Sequence, residues 1–303
     1  MSASIHPLTW QPKVGIRLFL GGVLCCAMAL QAHATVLLND TFADGNRTTQ
    51  ALPGSAQWYI GGASSIASTN ASSGLTLTQT KAATATTMAY FTPTTLQIGD
   101  TLELTFSYSF HTAAVADNSF QFGLYNSGGS RLTKDGLGFN NSLFNNYTGY
   151  ATSGVFGVDP SGLGRDHIES RGLAAGNNLN SMGTYTEGKT YIQQGAATPD
   201  QIYQASMQIA RTAAGITVTS QIGNTQMVQQ YTGAGAAQFD AVGIFSNGNT
   251  SAFTFDSVRV ELAANAPEPS VTAGLALLGL AGAGRALRRR IADFLGKRKN
   301  GFC

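Results

Sequence analysis

A two-sheet antiparallel β-sandwich is the fold that residues 35–262 predict. Three observations carry it: strict apolar/polar alternation over several segments, Gly- and Asn-rich turns at about ten-residue spacing, and no sustained helical periodicity. The stretch is about 230 residues, enough for one sizeable all-β domain or two small ones.

Taken in order, weaker strands are expected at Val36–Phe42, Gln57–Ile60, Leu75–Thr78 and Thr87–Phe91. The strongest signal is Thr101–His111. Leu102, Leu104, Phe106, Tyr108 and Phe110 share one face, while Glu103, Thr105, Ser107 and Ser109 share the other. Phe120, Phe122 and Leu124 repeat the pattern after a loop at Ala113–Asn118. Tyr203, Ala205, Met207 and Ile209 alternate, turn at Ala213-Ala214-Gly215, and continue as Ile216, Val218, Ser220 and Ile222, which reads as a hairpin. Phe239–Phe245 and Ala252–Leu262 close the domain across the turn-rich Ser246-Asn247-Gly248-Asn249. Gly128–Asn180 is the least regular part and predicts long loops with short strands.

Charge limits what the body does. Between Thr35 and Ala266 there are nine Lys/Arg against fourteen Asp/Glu, so the body is mildly acidic and no nucleic-acid partner is expected. Cys25, Cys26 and Cys303 lie outside it. The body therefore has no disulfide framework, cysteine nucleophile or thiolate metal site.

The ends read as addresses. Lys13 and Arg17 precede a short apolar core, Leu18–Leu30, and Ala32-His33-Ala34 fits small-x-small cleavage, so residues 1–34 predict a secretory signal helix handled by the Sec translocon. At the other end, residues 263–270 form a linker ending in Pro267-Glu268-Pro269-Ser270. Residues 271–287 are apolar or small except for Arg285, at the lower edge of what spans a bilayer. Arg288, Arg289 and Arg290 then open a basic tail, residues 288–303, that would stay cytoplasmic.

That succession of Pro-Glu-Pro, apolar span and arginine cluster, behind a signal peptide, resembles the PEP-CTERM sorting signal of Gram-negative bacteria. The resemblance implies recognition by an exosortase, a transient inner-membrane tether, and delivery to the cell surface or extracellular matrix. Members usually end soon after the arginines, whereas Ile291–Cys303 continue here. The body in turn resembles concanavalin-like and laminin-G-like jelly rolls. Asn39-Asp40-Thr41-Phe42 looks like their first strand, and Phe253-Thr254-Phe255-Asp256-Ser257-Val258-Arg259-Val260 like their last.

Candidate chemistry is sparse. Gly183–Thr190 spells a phosphate-binding loop but lacks the buried strand before it and the helix after it, so a turn is the better account. Asp166 and Glu169 match the last two acidic positions of laminarinase-like hydrolases, but Gly164 stands where the nucleophile is required, which leaves a solvated loop pair near Arg165 and Arg171 as the ordinary reading. His111 and His167 show no metal-binding spacing. Asp40, Asp44 and Asp256 would offer calcium its oxygen ligands if the first and last strands meet, though Asp44-Gly45-Asn46 is equally a plain turn. For a polysaccharide ligand, Trp58 with Tyr59, and Tyr147 with Tyr150 in an Asn-rich loop, are the aromatic candidates, a core position on an early strand being the better account of Trp58. The expectation is an exported, non-enzymatic protein, structural or glycan-binding, with no cofactor unless a structural calcium. The alternative is a divergent polysaccharide hydrolase or lyase.

Overall fold

Two antiparallel sheets lie face to face in the computed structural model, which describes residues 34–61, 65–70, 74–79, 83–111, 118–137, 141–156, 167–172, 179, 197–233, 235–248 and 252–264. The compact unit that holds them is His33–Asn265. Its strands are β1 (Ala34–Asp40), β2 (Trp58–Gly61), β3 (Ser65–Asn70), β4 (Gly74–Gln79), β5 (Ala83–Thr95), β6 (Thr101–Phe110), β7 (Asn118–Asn126), β8 (Thr148–Phe156), β9 (His167–Arg171), β10 (Tyr203–Thr212), β11 (Gly215–Ile222), β12 (Thr225–Thr232), β13 (Gln238–Gly248) and β14 (Ala252–Ala263). One sheet runs β12-β11-β10-β6-β14-β4-β3, with β1 also paired to β14, and the other runs β2-β5-β13-β7-β8-β9.

The eight-stranded sheet is wet on one side. Along β6, burial alternates without a break, and Leu104 stands opposite Met207 of β10 and Val260 of β14. Its inward residues meet those of the six-stranded sheet in an aromatic core. Phe106 packs edge-on to Phe122 at 5.1 Å, and Tyr108 stacks on Phe120 at 4.6 Å. Each such ring contributes its buried area plus about 0.5–1.5 kcal/mol from the ring–ring geometry.

The six-stranded sheet is covered on both sides. Thr86–Phe91, Phe120–Tyr125 and Ala241–Ser246 are buried at every position. A second apolar layer lies on its outer face, where Leu132, Phe144 and Tyr147 cover Met88, Tyr90, Tyr125, Ala151, Ala241 and Phe245. The covering segment, Ser127–Tyr147, includes a 3-10 helix at Ser142–Asn146, capped by the Asn141 side chain on Leu143 N–H. Polar ties hold it down. Asp240 of β13 accepts from Ser127 N–H and Ser127 Oγ, each at 2.7 Å, and from Arg131 at 2.8 Å. Leu132 N–H donates to the Tyr90 hydroxyl, which is itself 2.7 Å from the Tyr147 hydroxyl. Gly123 leaves room for this layer: a Cβ there would sit 2.5 Å from the Tyr150 carbonyl and 2.8 Å from the Tyr125 hydroxyl.

The expected strong strands all form. β12 departs from the reading, since no strand was expected at Thr225–Thr232, and the irregular region also holds the nine-residue β8 and the edge strand β9. Residues 1–33 of the predicted signal, the sorting motif, the transmembrane helix and the basic tail lie outside the described residues, as does Gly183–Thr190, while Ala34, the last residue of the predicted signal, is the first of β1. Among the described residues, no helix is long and apolar enough to cross a membrane.

Candidate functional site

The predicted calcium site does not assemble. Asp40 is buried, and its oxygens accept from Phe42 N–H at 2.9 Å, Ala56 N–H at 3.1 Å and the Trp58 indole N–H at 2.9 Å. Asp44 closes its own turn onto Asn46 N–H, and Asp256 accepts from Ser257 N–H. β1 and β14 do pair, but these carboxylates are taken up by local amides, and among the described residues no three acidic or imidazole groups gather around an ion.

Trp58 is a core aromatic, the better account of it from the sequence, and not a ligand platform. It is 0% exposed, wedged against Phe42 and Phe255, with its one polar atom bonded to Asp40. Tyr147 is also buried, because the second apolar layer needs its ring and Tyr90 takes its hydroxyl. Tyr59 is half-buried against Tyr90 and donates to Gln57. Tyr150 is buried too, at 1% exposed, but of the four aromatic candidates it alone borders a described cavity.

That cavity is an open cleft of about 440 Å³ where the edge strands β9 and β12 approach each other. Thr148, Tyr150, Ser170, Tyr231 and Thr232 line it with rings and hydroxyls. The two tyrosine rings lie 5.1 Å apart at 43°, and the Tyr231 hydroxyl donates across to the Ile168 carbonyl. Burial pushes the Tyr150 phenol up to about 12 against a partly offsetting bond to the Ala236 backbone, so it stays neutral. Glycine at 235 is required, since a Cβ would collide with the Tyr150 hydroxyl, whereas Gly172 opens onto free space. No carboxylate is found among the described residues lining this cleft.

Behind it, β9 turns out to be a buried polar strand rather than a solvated loop. His167, Glu169 and Arg171 share its outer face; His167 Nε2 meets Glu169 Oε1, and Arg171 donates to the carbonyls of Tyr147 at 3.0 Å and Phe144 at 2.7 Å. Burial lowers the Arg171 pKa. Burial also raises the neighbouring Tyr125 phenol, the Arg171 cation pulling the other way. Arg171 is thereby a pin for the 3-10 helix. Asp166, the other acid of the suspected pair, lies outside the described residues.

A second cavity, about 330 Å³, opens on the wet face of the eight-stranded sheet. Thr76, Ser107, Ser109, His111, Asp200, Ile202, Thr254 and Asp256 contribute to its wall. His111 Nδ1 is 2.7 Å from Asp200 Oδ1, its Nε2 is 2.6 Å from Thr254 Oγ1, and that oxygen is 2.7 Å from Thr76 Oγ1. No sequence motif marks this group, because its members are scattered along the chain.

No protein-family model and no curated protein matches the chain. Among solved structures it is similar to the metal-free Emp46p carbohydrate recognition domain (10% identity, 75% of this chain and 94% of that chain, TM-score 0.45). It is also similar to lectin UEA-II complexed with galactose (14% identity, 76% and 98%, TM-score 0.42). A third is a galectin-like protein of unknown function from Bacillus subtilis (10% identity, 69% and 91%, TM-score 0.41). TM-scores below 0.5 are too loose to bear on site or function.

Proposed function

We propose that this is an exported protein of a Gram-negative cell surface or extracellular matrix, whose sandwich binds a polysaccharide without cleaving it. The binding reading rests on one observation: the half-buried Tyr231 ring, backed by the buried Tyr150, stands in a cleft rimmed by the hydroxyls of Thr148, Ser170 and Thr232, the combination that takes the apolar face and polar edge of a sugar. Cleavage of a glycosidic bond ordinarily needs a pair of carboxyl groups. The described lining supplies none, and Glu169 is buried against His167. The route of export rests on the sequence alone, with Ala32 and Ala34 at the signal cleavage site and Pro267-Glu268-Pro269 before the arginine-stopped span, and it makes the Sec translocon and an exosortase the partners in transit.

The test titrates full-length protein against soluble polysaccharides by calorimetry. Saturable binding that Tyr231→Ala weakens by about tenfold or more, equivalent to about 1.4 kcal/mol, supports the cleft. Reducing sugar released by the unaltered chain and abolished in Glu169→Gln would replace binding by hydrolysis. The intact mass of the mature form tests the route, since a clipped product ends near Pro267–Pro269 and a tethered one retains residues 271–303.

A further inference from the structure

We infer that the cavity on the wet face of the eight-stranded sheet is a nucleophilic site, with Thr254 as nucleophile, His111 as base and Asp200 as the residue that positions the ring, acting on small neutral O-acyl esters. The inference goes beyond saccharide binding and concerns the other sheet.

Geometry carries it. A carboxylate only accepts hydrogen bonds, so with the ring neutral the proton on Nδ1 points to Asp200 and Nε2 is left to accept from Thr254 Oγ1. Thr76 then donates to Thr254 Oγ1 and fixes its rotamer. The backbone holds all three residues in place. His111 N–H donates to the Ala252 carbonyl at 2.9 Å, and Asp200 N–H donates to the Phe110 carbonyl at 2.7 Å. Thr254 is paired to Thr76 on one side and Ser109 on the other. Asp200 adopts φ +58 at the third position of a Thr198–Gln201 turn closed by Gln201 N–H on the Thr198 carbonyl, and that turn carries its carboxylate beside His111.

The cavity walls select the substrate. Ile202, 71% exposed, offers an apolar contact for an acyl group, while Asp200 and Asp256 turn anions away. The Ser109 hydroxyl is the donor offered to a developing oxyanion, since Ser107 Oγ donates to the Asp256 carbonyl and the β14 amides here are committed to the ladder.

In the reaction, Thr254 Oγ1 bonds to the ester carbonyl carbon as its proton passes to His111 Nε2. The bond to the leaving alcohol breaks, and that alcohol departs with the proton. Water then adds to the acyl-threonine, giving a proton to His111. The acid leaves, and His111 returns the proton to Thr254. Asp200 orients the ring throughout and takes no proton.

The experiment follows p-nitrophenyl acetate hydrolysis by full-length protein, together with mass-spectrometric mapping of a fluorophosphonate label. Turnover above an imidazole blank is expected, with kcat lowered about a hundredfold or more by Thr254→Val and by His111→Gln. Thr254→Ser should keep the rate within about tenfold, and Asp200→Asn should lower kcat at nearly constant KM. The label should map to Thr254. No turnover above the blank, or a Thr254→Val variant as active as the parent, overturns the inference. Should Thr254→Val fail to fold, a label absent from Thr254 in the unaltered protein overturns it equally.

Discussion

The two faces of the six-stranded sheet are built on different principles, although both are dry. Its inner face meets the other sheet through Phe120, Phe122 and Leu124, a contact of carbon on carbon with few polar groups to satisfy. Its outer face is closed by a loop, and a loop brings unpaired amides and carbonyls with it. Tyr90, Asp240 and Arg171 therefore stand among its apolar residues, each hydrogen-bonded to the segment above. Sheet against sheet can rely on area alone. Sheet against loop needs donors and acceptors at fixed places.

The sharpest way to break the inner face is Phe122→Ala. It removes a fully buried ring from the aromatic cluster and should cost about 3–5 kcal/mol in urea unfolding of the full-length protein, while Thr105→Ala on the wet face of β6 stays within about 0.5 kcal/mol. Comparable losses from the two would mean that the inner face is not the principal core.

The outer layer should fail locally instead. Asp240→Asn weakens the ties to Ser127 and Arg131 and should cost about 2 kcal/mol. Hydrogen exchange should then rise first in residues 127–147 while β6 and β10 remain protected. Uniform loss of protection would show the two layers to be one cooperative unit.

The smallest effect follows pH. Burial works against the charge on Asp135, but the Arg47 guanidinium at 2.7 Å and the Ile60 N–H at 2.9 Å outweigh it and hold the carboxyl below its usual range. A depressed carboxylate stabilises the fold fully above its unfolded pKa of about 4, and that contribution is lost as pH falls through the lower folded value. Asp135→Asn should be less stable than the parent at about pH 7 and equal to it at about pH 2. A gap that persists in acid would mean that charge is not what Asp135 contributes.

This contrast also explains what the sequence could and could not disclose. Alternation marks a strand only when one side is wet, which is why β6 and the β10–β11 hairpin were plain and the continuous burial of Phe120–Tyr125 was half-read as Phe120, Phe122 and Leu124. β12 was missed because an edge strand with Met227 as its main buried residue carries almost no apolar signal. β9 was missed because its outward residues, His167, Glu169 and Arg171, look like a solvated loop until something covers them. Trp58 was ambiguous for a related reason, since Asp40, which accepts its indole proton, is 18 positions away. The relay was out of reach altogether. Asp200 and Thr254 stand 89 and 143 positions from His111, and strand order brings them together.

Ala34 and Ala263 are register partners on neighbouring strands, so the chain enters and leaves the body about 5 Å apart. A domain with its two ends side by side can be spliced into a surface loop of a host protein, or cyclised through a short linker, with little distortion of either partner. The same adjacency makes this sandwich a portable cassette whose two faces can be moved as a unit.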